Sequence, residues 1–287
     1  MVPKKIALLT DSCSDLPARQ LEENHIFTVP LRILCNDGEY LDGVNIHASD
    51  IYDRLRGGEL PQTSLPSGDD IGRVFSDIAA AGYDGVIGIM LSSGLSGTYN
   101  MVRLIGEECP NLQVRIYDSL SGSLGMGMTL MQLAEDIRGG MDWEELTERR
   151  APALIAGTQP FFSVDTLEYL QKGGRIGKVT ATAGMLLNIK PLLTFMPDGQ
   201  LGSVAKVRGR HQVIERLVKL SVEACGEHKR YNLAVANGGA PEEMEVLRTK
   251  LMAALPDYDH IWEGEIDGTL SVYIGDGILG TAIQILD

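Results

Sequence analysis

Cations are scarce in this chain. Its 287 residues carry 25 Lys and Arg against 39 Asp and Glu, a net charge of −14. No broad basic face is available to neutralise a phosphate backbone or an anionic bilayer, so nucleic acid is excluded as a partner. Cysteine is equally sparse. Cys13, Cys35, Cys109 and Cys225 are scattered and form no C-x-x-C pair. That spacing gives neither a zinc site nor a disulfide framework, and it suits a reducing cytoplasm. Long apolar runs are missing too. None approaches the ~18 residues of a membrane span, and the run Ile6–Leu9 is stopped by Asp11, too early for a signal peptide. No stable membrane insertion is expected, and the expected setting is the cytoplasm. What remains, with 44% hydrophobic and 22% charged residues, is an ordinary globular composition.

Apolar runs and helix patterns alternate through the first half. Lys5–Thr10 reads as a buried strand, Leu16–Asn24 as a helix and Phe27–Leu34 as a second strand entering the Asn36-Asp37-Gly38 turn. Ser49 is the expected N-cap of a helix over Ile51–Arg56, and Ser67 that of a helix to about Ala81. Gly85–Leu91 is apolar throughout, as a strand covered on both faces would be. A helix to Glu108, a strand Gln113–Tyr117 and helices from Ser123 and Trp143 follow. Such alternation predicts a parallel sheet with helices on both faces. The second half changes rhythm. Leu192–Met196 and Leu201–Val207 flank Pro197-Asp198-Gly199 as a hairpin. Helices over Gln212–Cys225 and Glu242–Ala254 alternate with strands Asn232–Ala236, Ile261–Glu265 and Leu270–Ile274. The expected fold class is therefore α/β in two domains. An N-terminal parallel-sheet α/β domain would span residues 1–158, and a C-terminal α+β domain with a mainly antiparallel sheet would span 159–287. The break falls at Gly157-Thr158-Gln159-Pro160.

Several familiar chemistries drop out. Gly275-Asp276-Gly277-Ile278-Leu279-Gly280 matches G-x-G-x-x-G, but only seven residues follow it, too few for a dinucleotide-binding unit. Gly177-Lys178 lacks the first glycine and the Ser or Thr of a phosphate loop. No G-x-S-x-G elbow is present, and the histidines sit in polar, helix-like or turn-like contexts. No catalytic residue, cofactor or metal is expected. An alternative remains in which Ser93 serves a hydrolase or acyltransferase; it requires a general base, and the sequence names none.

Four hydroxyl-rich segments stand at the ends of expected strands, where open α/β sheets place ligands. They are Thr10-Asp11-Ser12, Thr63-Ser64-Leu65-Pro66-Ser67, Ser92-Ser93-Gly94-Leu95-Ser96-Gly97-Thr98 and Asp118-Ser119. Taken singly, each also reads as a cap or a turn. The Ser92–Thr98 loop joins a buried strand to a helix, so backbone N–H groups and the helix dipole favour an anion there. Two cationic clusters stand out against the acidic background. One is Gln171-Lys172-Gly173-Gly174-Arg175, the other Lys206-Val207-Arg208-Gly209-Arg210. Both also read as helix-end compensation and solvated turns.

In this order the segments resemble the DegV family of bacterial fatty-acid-binding proteins. The resemblance takes in Thr10-Asp11-Ser12 with Asp15-Leu16, the T-S-x-P-S and serine-loop segments, Asp118-Ser119, Leu170–Ile176, Lys190-Pro191-Leu192-Leu193 and Lys206-Val207-Arg208. It implies one long-chain fatty acid held between two domains, its carboxylate bound by Thr63 and Ser93 with Ser64, Ser92 and Gly94 nearby. It also implies a carrier role beside a separate ATP-binding fatty acid kinase subunit, with Arg175 and Arg208 facing that partner or the phosphate. Where the family has histidine before the terminal glycines this chain has Tyr273, which can hydrogen-bond a carboxylate but offers no cation at neutral pH. Tail-lining candidates are Ile89, Leu91, Met126, Met128, Phe161 and the stretch from Met185 to Ile189.

Overall fold

The strands follow from where the chain is apolar and where proline or glycine interrupts it. The computed structural model describes residues 5–179 and 188–287. In chain order the strands are β1 (Ile6–Asp11), β2 (Ile26–Val29), β3 (Arg32–Cys35), β4 (Gly38–Leu41), β5 (Gln62–Ser64), β6 (Gly85–Met90) and β7 (Gln113–Asp118). Then come β8 (Thr158–Ser163), β9 (Ile189–Phe195), β10 (Leu201–Arg208), β11 (Tyr231–Gly238), β12 (Ile261–Glu265) and β13 (Ile278–Ile285). Among the described residues they form three sheets. One is parallel, in the order β2-β1-β6-β7. A second, β10-β9-β8-β13-β11-β12, is antiparallel except for the β11–β12 pair. The third, β4-β3-β5, is a small antiparallel sheet. The α/β class with a parallel and a mainly antiparallel sheet is as the sequence pattern implies.

Three local expectations are corrected. Phe27–Leu34 is not one strand: Pro30, which has no N–H to give a ladder, separates β2 from β3, and the two join different sheets. The helix Ala48–Arg56 is capped by His47 rather than Ser49, in a capping box whose Asp50 carboxylate accepts the His47 N–H at 2.9 Å. Leu270–Ile274 is not a strand but part of the helix Gly268–Ile274, because Asp267 caps it by accepting the Leu270 N–H at 2.8 Å. The missing strand is β13, buried along nearly its whole length between β8 and β11.

The helix Leu124–Arg138 is buried over its first eleven residues, as expected of a helix that is apolar all round. It packs against both large sheets. Its polar side chains are satisfied inside: Asn232 Nδ2 donates to Gln132 Oε1 at 2.9 Å and to Gln284 Oε1 at 3.1 Å, and Gln284 donates to Thr129. Buried amides cost stability unless paired in this way.

Candidate functional site

A cavity opens where the middle of β11 and β13 carries small side chains on one face. Ala234 stands opposite Ala282, and Ala236 opposite Gly280. The alternate residues Leu233, Val235, Leu279 and Ile283 point to the other face and pack with the helices Arg210–Cys225 and Pro241–Ala254. Period-two alternation thus gives one sheet a filled face and a hollow one. The hollow leaves about 90 Å3 for the centres of water-sized spheres. Its walls come from the mainly antiparallel sheet, from the loop that follows β6 and from the helix Gly268–Ile274, and they are predominantly apolar, with Leu91, Phe162, Phe195, Leu270 and Ile278 among them.

The apolar cavity meets an open polar depression. Thr63, Ser96 and Arg175 line both. Tyr273 closes the apolar side, and Ser64, Ser93, Gly94 and Gly174 line the polar side. At this junction Thr63 Oγ1 and the Tyr273 hydroxyl lie 2.6 Å apart. The Arg175 guanidinium stands 4.9 Å from the centroid of the Tyr273 ring, a cation–π distance. It donates to Gly173 O at 2.8 Å and to Leu95 O at 3.4 Å, and no ion pair among the described residues includes it. Glycine at 173 makes room for this stack: a Cβ there would sit 2.4 Å from the Tyr273 ring.

Ser92, grouped from sequence with the ligand-binding residues, turns away from both spaces. It is fully buried, its hydroxyl donating to Gly199 O at 2.7 Å and accepting the Gly94 N–H at 3.2 Å. It shapes the loop rather than lining the site. Ser93 is exposed, and its N–H donates to Asp118 Oδ1 at 3.1 Å. Arg208 ends β10, exposed, and lines neither space. Within its cluster Arg210 is tied down, pairing with Glu243 at 2.8 Å. Ser96 is the site residue that sequence reasoning passed over. The signal was the Ser96-Gly97-Thr98 cap, in which Ser96 Oγ bonds the Thr98 hydroxyl at 2.8 Å.

Of the tail-lining candidates, Leu91 and Phe161 line the cavity. Ile89, Met126 and Met128 do not: they are fully buried in the neighbouring core. Ile189 does not line it either, and Met185 to Leu187 lie outside the described residues. Among the described residues no histidine lines the cavity or the depression.

The serine loop depends on close backbone contact across the site. A Cβ on Gly94 would lie 2.3 Å from the Gly199 carbonyl carbon, and backbone cannot swing aside as a side chain can. Gly94→Ala is expected to cost about 1–3 kcal/mol through this overlap. Calorimetry should then show a melting temperature lower by several degrees; an unchanged one would mean the contact is absent in solution.

The chain's relatives share this architecture. A family model described as "Uncharacterised protein, DegV family" matches residues 5–285. A DegV domain-containing protein of Clostridium acetobutylicum is 38% identical over 280 residues, covering 98% of this chain and 99% of the relative. Among solved structures, a DegV-family protein from Thermus thermophilus described by its fatty-acid binding superposes with a TM-score of 0.91. It is 30% identical and covers 98% of this chain and 100% of its own. A stearic acid-binding protein from Eubacterium ventriosum gives a TM-score of 0.87 at 25% identity, covering 97% of both chains. The family match across almost the whole length agrees with the motifs read from the sequence: the chain belongs to the DegV family.

Proposed function

We propose that this chain binds one long-chain fatty acid, tail in the apolar cavity and carboxylate in the polar depression. The observation that carries this reading is the junction itself: a predominantly apolar hollow that meets polar space at Thr63, Ser96, Arg175 and Tyr273. A free apolar ligand would need no such mouth, and a polar ligand no such hollow. The ligands named for the Thermus and Eubacterium neighbours support the same assignment. The hydroxyls of Thr63, Ser64, Ser93 and Tyr273 are the head-group donors in this reading, and Gly94, whose N–H is taken by Ser92, lines the depression beside them. Ser92 holds their loop in place. The tunnel lies between an N-terminal domain of residues 1–158 and a C-terminal domain of residues 159–287.

The exposed head group suits a carrier that hands its carboxylate to a separate ATP-dependent kinase subunit. Arg175 stands beside the carboxylate, where transferred phosphate would gather charge, and exposed Arg208 belongs to the surface that meets the partner. The protein itself supplies no evident base, so its part is binding and presentation rather than turnover. Its cysteines are free, and no described helix is long and apolar enough to cross a membrane; a cytoplasmic setting accords with both.

Native mass spectrometry of protein made in lipid-containing cells tests the assignment. The expected spectrum shows the polypeptide plus one fatty acid. Replacing both mouth hydroxyls, Thr63→Val with Tyr273→Phe, should weaken binding about 10- to 150-fold, the range for hydrogen bonds to a charged group. Only the bare polypeptide mass, together with no uptake of added fatty acid, would overturn the reading.

A further inference from the structure

The Thr10-Asp11-Ser12 motif and Asp15 line neither space, yet they hold four pieces of the cavity wall. Asp11 Oδ2 accepts the Leu91 N–H at 2.7 Å. Ser12 Oγ accepts the Leu31 N–H at 3.2 Å and donates to Asp42 Oδ2 at 2.9 Å. Asp42 in turn accepts the N–H groups of Gly268 at 3.0 Å and Thr269 at 3.2 Å. Asp15 Oδ1 accepts the Asp267 N–H at 2.9 Å, and its Oδ2 accepts the Ser123 hydroxyl. Leu31, Leu91, Ser123 and Thr269 all line the cavity. The helix Gly268–Ile274, which carries Tyr273, is therefore fastened at its start by carboxyls from the first half of the chain.

These carboxyls are buried together, and no cation among the described residues pairs with them. The groups acting on Asp15 and Asp267 are one another, Asp42 and hydrogen-bond donors; Asp11 and the Cys13 thiol adjoin them, and Tyr52 and Glu265 lie on the far side. Cys13, Asp42 and Asp267 place donor atoms within 4.8 Å of one another. Both Asp42 oxygens are already engaged by Gly268, Thr269 and Ser12, so the cluster is arranged to hold N–H groups and protons rather than an ion. Asp267 Oδ1 caps its own helix, while Oδ2 is buried with no other partner. A proton on Oδ2 resolves this: a protonated Asp267 can donate to the Asp15 carboxyl. Burial pushes Asp11 and Asp15 up to about 7, and burial with the neighbouring Asp42 and Asp15 pushes Asp267 well above the usual carboxylate range.

We propose that Asp15 and Asp267 share a proton that positions the Gly268–Ile274 helix, and Tyr273 with it, so that the cavity retains a fatty acid more tightly below neutral pH than above it. The inference rests on the fatty-acid reading. Its sign follows from the raised values. The folded chain keeps protons that the unfolded chain releases from about pH 4 upward, so stability is greatest at low pH and declines as pH rises through 7. Carboxylates formed behind the wall also repel an anionic head group through a low-dielectric barrier. Both effects weaken retention at alkaline pH.

Binding of the polyene fatty acid cis-parinaric acid, followed by fluorescence at about pH 6 and pH 8.5, tests this. The dissociation constant of the native protein should rise at least about fivefold across that interval. Asp267→Asn keeps a cap acceptor for Leu270, offers an N–H to Asp15 and cannot ionise, so its ratio should fall below about two. A native ratio below about two, or an equal ratio in both proteins, would overturn the proposal. Absence of saturable binding at pH 6 would indict the fatty-acid reading instead. Amide exchange in the ligand-free proteins, corrected for intrinsic rates, then decides the clamp. Protection of residues 266–274 lost above neutrality in the native protein but kept in Asp267→Asn supports it; identical behaviour in the two overturns it.

Discussion

Protein carrying Ala282→Phe is expected to emerge from lipid-containing cells without a bound fatty acid. Ala282 pairs with Ala234 across β13 and β11, beside the Ala236–Gly280 pair, and these four residues keep the sheet's inner face hollow. A phenyl ring projecting from that face takes the space of several methylenes of a tail. Each buried methylene is worth about 0.8 kcal/mol, so excluding four to six removes about 3–5 kcal/mol. That corresponds to about a 150- to 5,000-fold loss of affinity. Overpacking a filled core costs about 1–3 kcal/mol; a ring entering an existing void should cost less, leaving the melting temperature within a few degrees. Native mass and cis-parinaric acid titration read the first effect, calorimetry the second. A variant that still carries a full-length fatty acid would show that the tail runs elsewhere.

Sequence patterns disclosed the layered part of this fold because burial dictates composition there. Gly85–Met90, buried at every position, can only be an apolar run, and its neighbours announce themselves by alternating with helices. Where a single residue decides, pattern fails. Pro30 parts β2 from β3, and Asp267 turns the β-prone Leu270–Ile274 into a helix. The mouth was largely legible, because Thr63, Ser93, Arg175 and Tyr273 belong to recognisable motifs that the structure brings to one junction. The hollow was not. It arises from alanines and a glycine that face each other only once β11 and β13 pair in register. The large residues chosen from sequence, Ile89, Met126 and Met128, fill core instead. A cavity is made by what is small, and smallness at four positions on two strands leaves no local signature.

Scarcity of positive charge also acquires a location. The chain's field does not attract an anion, and the acids Asp11, Asp15, Asp42 and Asp267 stand behind the cavity wall. A carboxylate at the mouth therefore depends on local donors: a few hydroxyls and one guanidinium.

Arg175→Met should accordingly weaken fatty-acid binding about 10- to 150-fold, the equivalent of about 1.5–3 kcal/mol for hydrogen bonds to a charged group. The guanidinium stands over the Tyr273 ring and donates to two carbonyls, with no carboxylate partner among the described residues. Its position is thus prepared before a ligand arrives, and its charge is free to be shared with one. Methionine keeps comparable apolar bulk and removes only the charge and donors, so cavity collapse does not explain a loss. Arg175→Lys separates charge from shape. An ammonium retains attraction but not the planar fork or the stacking on Tyr273, so its affinity should fall between the other two. Titration with cis-parinaric acid at about pH 6, where the buried acids are most protonated, gives the cleanest comparison. Native affinity in Arg175→Met would place the arginine's role outside ligand binding, in the docking to the kinase subunit proposed above.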